Sequence, residues 1–298
     1  MNAKVNVVDV LAVPSVLAVL VPVDGSALSK TALLAADELA ERLKLEVHLM
    51  TAVPHESDVP AAKRRLAAMA SPDRPVHCSV VVDPDPANAI CEALEWTDRS
   101  IICMATHGRG RTSALFGSVS SAVIARSHKP LILAGRSIGR PAGLTWEDEP
   151  VLLSKYRGGG VVVCLASVKD SPSLLGAGHG WAAGLGEPLI ALTVAELLPP
   201  PVDGGEGHRL FGPDGDVDAF LEQVTAPLRQ QGVEVITRAI YDPISPAEGV
   251  ESYLRDSPGA LVVVGWRPRS PLSQLVSRNT PATIIRYSPS AVLVVPLA

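Results

Sequence analysis

The chain has 298 residues, of which 47% are hydrophobic, 19% charged and 4% aromatic, with a formal net charge of −5 and a mean hydropathy of +0.25. That burial potential excludes a mainly disordered chain, and 26 Lys plus Arg against 31 Asp plus Glu supply no global basic face for a nucleic acid. The length implies two domains, and the shortage of aromatics leaves Val, Leu, Ile and Ala to fill the cores, as in sheets covered on both faces by helices. Cys78, Cys91, Cys103 and Cys164 contain no CxxC pair, which argues against a zinc cluster or a disulfide framework and fits reduced thiols in a cytoplasmic protein. The most apolar N-terminal run, residues 10–23, is 14 residues long and carries Pro14 and Pro22, too short and interrupted for a membrane span. Lys4 alone makes a poor charged region for a signal peptide.

In chain order, strand-like apolar runs alternate with helical patterns as β-α-β-α-β-α-β-α-β, twice over. The first half opens with a predicted strand over 16–23, a turn at Asp24-Gly25-Ser26 and a helix with one apolar face over 30–43. A strand over 46–53, a helix over 61–70, a strand over 77–82 and a helix over 86–96 follow. The half ends with a strand over 100–105, a glycine-rich loop, a helix over 118–127 and a strand over 130–133. Strands joined by helical crossovers imply a mainly parallel sheet.

The second half repeats the strands over 161–163, 188–194, 233–240, 261–264 and 291–295. Pro86-Ala87 recurs as Pro246-Ala247 and Met104 as Val264 at offset 160, whereas Asp24 aligns with Ala166 at offset 142. The difference of 18 is an insertion, assigned to residues 199–216, which read as a proline- and glycine-rich solvent loop. Gly176, Gly178, Gly180 and Gly184 argue for a short or irregular first helix in this half. A linker from about Gly135 to Gly160 carries Trp146 and a Glu147-Asp148-Glu149 run that reads as a solvated face, so domains are expected over 1–140 and 141–298. The fold class is therefore α/β: two tandem open, mainly parallel five-stranded sheets with helices on both faces.

Open parallel sheets bind ligands beyond the carboxyl ends of their strands, where strand order reverses. Three first-half segments converge there: 22–26, 51–53, and 104–111 running on to Gly117-Ser118. Glycines let the backbone approach a ligand, and a helix beginning near Ser118 adds its positive dipole end and a hydroxyl, a combination suited to phosphate oxygens. Arg109 and Arg111 add charge, and Asp24 offers a carboxylate suited to ribose hydroxyls or an exocyclic amine. Alone, Asp24-Gly25-Ser26 reads as a turn and helix cap. His107 either contacts phosphate or holds the loop by hydrogen bonds. His77-Cys78 has no matching ligand pair, so no metal is expected. The sequence contains no Walker lysine motif, against a P-loop ATPase.

Val21-Pro22-Val23-Asp24-Gly25-Ser26, Met104-Ala105-Thr106-His107-Gly108-Arg109-Gly110, and Gly117-Ser118-Val119-Ser120 before Lys129-Pro130 resemble the universal stress protein family across nearly the whole chain. The resemblance implies the adenine-nucleotide alpha-hydrolase-like fold, with the two last strands paired across a pseudo-two-fold axis. It also implies ATP, with or without Mg²⁺, as cofactor. Asp24 would hold the base and ribose end, and the backbone near Val23 and Ala52 would frame adenine, while Gly108, Arg109, Gly117, Ser118 and Val119 would hold the phosphates. Pro22, Met104, Ala105 and His107 complete the expected site.

Two departures concern this site: Ala105 stands at the family's first glycine, and eight residues instead of nine separate Gly108 from Gly117. In the second half Gly265 is kept, but Pro268 lacks an N–H, Arg278-Asn279 replaces Gly-Ser, and Ala166 replaces Asp24, so that site is expected to be empty or altered. The function implied is an ATP-binding stress-response or regulatory nucleotide sensor, with any hydrolysis slow because no general base joins the cradle. The alternative is a non-nucleotide-binding tandem scaffold that recruits partner proteins. The expected partners are an adenine nucleotide and a homodimer of whole chains beyond the intrachain pseudo-dimer, with no nucleic acid and no membrane.

Overall fold

A computed structural model describes residues 15–70, 76–95, 99–106, 116–135, 159–195, 216–242, 245–267 and 280–297. The first half forms β1 (Ala18–Pro22), α1 (Ala27–Leu43), β2 (Glu46–Val53), α2 (Val59–Met69), β3 (Val76–Val82), α3 (Pro86–Glu95), β4 (Ser100–Ala105), α4 (Ser118–Arg126) and β5 (Leu131–Ala134). The second forms β6 (Val161–Leu165), α5 (Ser171–Leu185), β7 (Leu189–Ala195), α6 (Val217–Gln230), β8 (Val235–Tyr241), α7 (Pro246–Asp256), β9 (Leu261–Trp266), α8 (Thr280–Tyr287) and β10 (Val292–Pro296). Local chemistry sets several helix ends. Ser26 caps α1 by accepting the Ser29 N–H at 3.1 Å, and Ser245 caps α7 through the Glu248 N–H at 3.2 Å. Pro246 fits the first turn of α7, where no N–H is needed.

The strands are ordered β3-β2-β1-β4-β5-β10-β9-β6-β7-β8. Every ladder is parallel except the one between β5 and β10, which pairs Leu131 with Val294, Ile132 with Leu293 and Leu133 with Val292. The expected pairing of the two last strands is thus present. Backbone bonding across this seam joins the two five-stranded sheets into a continuous ten-stranded one. Alternation along the strands divides the apolar side chains between two layers. One, with Val19, Ile132, Val163 and Leu293, packs against α1, α2, α5 and α6. The other, with Leu20, Leu133, Val162 and Val292, packs against α3, α4, α7 and α8. On α1 the buried Ala32, Ala35, Ala36, Leu39 and Ala40 recur at helical spacing, and such small residues let the helix lie close on the sheet.

Two sequence expectations need correcting. The glycine-rich helix α5 is neither short nor irregular but runs 15 residues to a left-handed Gly186 cap at φ 65°. Its glycine at 178 is required by proximity, since a Cβ there would lie 2.3 Å from Val163 Cγ2; helix propensity yields to close packing on β6. The insertion is also split. Val47 pairs with Val76 and Leu189 with Val235, so the offset of 142 at β2/β7 becomes 159 at β3/β8, and only 17 of the 18 residues lie between those strands. The last one falls between β8 and Pro246 of α7. Residues 199–215 of that insertion, the boundary at 140/141, Trp146 and the acidic run lie outside the described residues.

Further contacts lock the halves together. Arg42 of α1 donates from Nη2 to Glu187 Oε1 at 2.5 Å and to the Leu185 carbonyl at 2.8 Å, at the carboxyl end of α5. The side chains are 16% and 5% exposed, so this is a largely desolvated pair. Beside the seam, a Cβ on Gly135 would lie 2.2 Å from the Ile285 carbonyl oxygen of α8. Arg42→Ala should therefore lower the unfolding free energy by about 3 kcal/mol, because the buried Glu187 carboxylate loses the positive charge beside it. Gly135→Ala should cost about 1–3 kcal/mol by forcing α8 away from β5. Urea denaturation of each variant measures both losses.

Candidate functional site

β1 and β4 are neighbours in the sheet, but the helices that follow them, α1 and α4, lie on opposite layers. This is the switch point of the first half. The β1–β4 ladder stops at Leu20 and Ile102, although the strands run on to Pro22 and Ala105, and the crevice opens where pairing ends. On one side the Val23 N–H donates to the Met50 carbonyl at 2.8 Å, which lashes the end of β1 to β2 near the half-buried Ala52. Asp24 follows, half-buried, its Oδ1 accepting the Ser26 N–H at 2.9 Å over a Gly25 with φ 80°. The carboxylate is thereby held at the mouth of the crevice by the turn that starts α1.

On the other side, Met104 is buried and Ala105 half-buried at the end of β4. The Gly117 N–H donates to the Thr106 carbonyl at 2.8 Å, and the Ser120 hydroxyl donates to the same oxygen at 2.6 Å. These bonds dock the start of α4 on the end of β4. Gly117 is the N-cap and carries no capping side chain, unlike Ser26 of α1 and Ser245 of α7, and Ser118 is exposed. A helix start of this kind presents N–H groups and a positive dipole end to an anion. The other end of α4 is anchored by Arg126, which donates to Asp85 Oδ2 at 2.7 Å, while Asp85 Oδ1 accepts the Ala87 N–H of α3 at 3.0 Å.

The structure thus gathers Pro22, Val23, Asp24, Ala52, Met104, Ala105, Gly117, Ser118 and Val119 at one edge of the sheet. His107, Gly108, Arg109 and Arg111 lie outside the described residues. Cys103 on β4 is a packing residue rather than a nucleophile: burial pushes its thiol up to about 12, and Sγ donates to the Ala32 carbonyl at 3.5 Å.

The second crevice has the same frame and different contents. The β6–β9 ladder stops at Val163 and Val263 while the strands run on to Leu165 and Trp266. Ala166, in the place of Asp24, is exposed. Arg267, just beyond β9, donates to Asp170 Oδ1 at 2.5 Å, and the Ser167 hydroxyl donates to Asp170 Oδ2 at 2.8 Å, so an ion pair bridges the two sides of the mouth. A Cβ on Gly265 would lie 2.3 Å from Leu297 Cδ1. The glycine kept from the nucleotide pattern is therefore explained here by a leucine packed against it. Pro268, Arg278 and Asn279 lie outside the described residues.

Sequence reasoning missed this closure because Asp170 and Arg267 are 97 residues apart and no spacing rule links them. It also missed Phe116, which is buried and packs edge-on against Trp266 of the other half with centroids 6.0 Å apart. The start of α4, on one side of the first crevice, thus adjoins a side chain of the second half. His77, which has no ligand partner at linear spacing, lies directly beside His48 in the β2–β3 register, at the far end of the strands from the crevice.

The Universal stress protein family model matches residues 17–134 and again residues 161–296. The fold is similar to the crystal structure of a universal stress protein from Archaeoglobus fulgidus DSM 4304, at 19% identity and a TM-score of 0.60, over 94% of this chain and 98% of that one. It is also similar to a functionally unknown protein from Pseudomonas aeruginosa PAO1, at 13% identity and a TM-score of 0.60, over 96% and 94%. No curated protein matches the chain. Among the described residues, no helix is long and apolar enough to cross a membrane.

The Arg126 hydrogen bond holds the Asp85 carboxyl below its ordinary value, with further help from the Asn88 and Ala87 N–H groups. A carboxyl depressed in the folded state contributes stability above its unfolded value, and that contribution is lost as pH falls through the lowered folded value. Arg126→Ala should raise the Asp85 titration midpoint and flatten the acid limb of the stability–pH curve. Carboxyl NMR titration and thermal unfolding between about pH 2 and 5 test this.

Proposed function

The chain belongs to the universal stress protein family, and on that premise we propose that it binds ATP in its first half, residues 1–140, with residues 141–298 as a degenerate counterpart. The contrast between the two crevices carries this reading. The first has a carboxylate at its mouth and an N-cap glycine at its phosphate end; the second has its mouth spanned by Arg267–Asp170 and its glycine covered by Leu297. The residues present fit a nucleotide. Asp24 would accept from ribose hydroxyls, the backbone at Val23 and Ala52 would flank the base, and the N–H groups of Ser118 and Val119 would donate to phosphate oxygens alongside Gly108 and Arg109. Mg²⁺, if carried by the nucleotide, would neutralise phosphate charge. With Cys103 inert and no general base recognised among the described residues, this chemistry suits a nucleotide sensor better than a catalyst with rapid turnover.

A second reading, a tandem scaffold that recruits partner proteins without nucleotide, draws on the closure of the second crevice. Two measurements separate them. Denaturing the purified protein and chromatographing the supernatant should release adenine nucleotide, and calorimetry with ATP and Mg²⁺ should show one site per chain. Asp24→Ala should weaken that site about tenfold or more, the loss of a charged contact being worth roughly 1.5–3 kcal/mol, whereas Arg267→Ala should leave it unchanged. No released nucleotide together with no heat would favour the scaffold.

A further inference from the structure

We propose that Glu46, His48 and His77 form a site for a divalent transition-metal ion, zinc foremost, at the amino ends of β2 and β3. Glu46 and His48 are two residues apart on β2 and so share a face of the sheet. The parallel register sets His77 of β3 directly beside His48, on that same face. The imidazole centroids are 4.7 Å apart, His48 Nε2 lies 3.2 Å from Glu46 Oε2, and His77 Nε2 lies 4.0 Å from the same oxygen. One ligand atom from each residue lies within 4.8 Å of the other two.

A tetrahedral zinc with bonds of about 2.0–2.1 Å keeps its ligand atoms about 3.3 Å apart. The Glu46–His48 spacing already meets that geometry, and His77, with 67% of its side chain exposed, has the freedom to close the remaining gap. Two imidazoles and one carboxylate leave at least one coordination position to water, so the ion would be open and exchangeable. Imidazole nitrogen favours zinc, nickel and copper over calcium and magnesium, which separates this ion from one accompanying a nucleotide.

The second half shows that the fold does not need these groups. At the equivalent register it has Ile190 beside Ile236, with Ile190 buried. An edge strand accounts for exposed polar residues in general, but not for three metal-type donors converging on one point. The site is also independent of the crevice. Five residue-to-residue steps of about 3.3 Å each separate His48 from Val53 at the carboxyl end of β2.

The test uses the untagged full-length chain, stripped with chelator and free of nucleotide, titrated with Zn²⁺ against a chromophoric competitor and separately with Co²⁺ followed by visible absorption. The expected result is one ion per chain, with affinity reduced about tenfold or more by His48→Ala and by His77→Ala, and a Co²⁺ spectrum lost in the double variant. Zn²⁺ should raise the thermal midpoint of the wild type but not of the double variant, and the metal-free midpoints of the two should agree. Absence of saturable binding would overturn the proposal, as would equal binding by the double variant, which would assign the ion to other ligands such as the thiols. ATP titration of the same double variant should match wild type, so failure here and failure of nucleotide binding are separately visible.

Discussion

Pairing between β5 and β10 involves three residues on each strand, yet the remaining architecture depends on it. Apart from the other, each half would end in a strand whose side chains are almost wholly buried, Leu131–Ala134 or Val292–Pro296, with its backbone edge open. Such an edge is a template for aggregation. Joining the two removes both edges and leaves β3 and β8 as the outer strands, which tolerate water: His77, Cys78 and Ser79 on one and Arg238 and Tyr241 on the other are exposed. The two apolar layers then run unbroken across the seam, and α1 and α5 are tied beside it by Arg42 and Glu187.

This dependence explains how the halves keep one fold while diverging in chemistry. The seam and the packing of helices on the sheet constrain strands, core residues and the close approaches at Gly135 and Gly178; they place no demand on the crevice mouths. Once one crevice suffices for a ligand, the other is free to be filled from within. Arg267, Asp170 and Leu297 do so, and the mouth is held by a charge pair that is only partly desolvated, at 42% and 15% exposure. Such a pair contributes modestly to stability, so its consequence lies in occupying space and satisfying donors that a ligand would otherwise meet.

The element order was legible because each element carries a strong local signal. The β2 and β4 boundaries match the sequence reading residue for residue, and Pro86 and Pro246 mark helix starts through proline's fixed φ. The place of the first crevice was legible for the same reason: Asp24 and Ala105 lie at the carboxyl ends of β1 and β4, Gly117 at the start of α4, and such strand ends face the switch point. What the sequence hid was set by pairing across distance. Closure of the second crevice depends on Arg267 meeting Asp170, and the donor cluster on a β2–β3 register that spacing alone does not reveal, whereas the β5–β10 pairing was expected only through the family resemblance. The four glycines of α5 misled because propensity assigns each a cost in an isolated helix, while the native packing turns the missing Cβ at Gly178 into contact with Val163.

The asymmetry also bears on why a half with a closed crevice is retained. Its strand β10 covers the edge of β5, its α8 carbonyl at Ile285 fits against Gly135, and its Trp266 meets Phe116 one residue before the N-cap of α4. Two of these contacts support the sheet beneath the first crevice, and the third touches the crevice wall itself. A nucleotide site built from backbone N–H groups depends on positions held to fractions of an ångström. On the reading proposed above, the second half would therefore serve the first as a scaffold, holding no nucleotide itself while fixing the geometry of the first crevice.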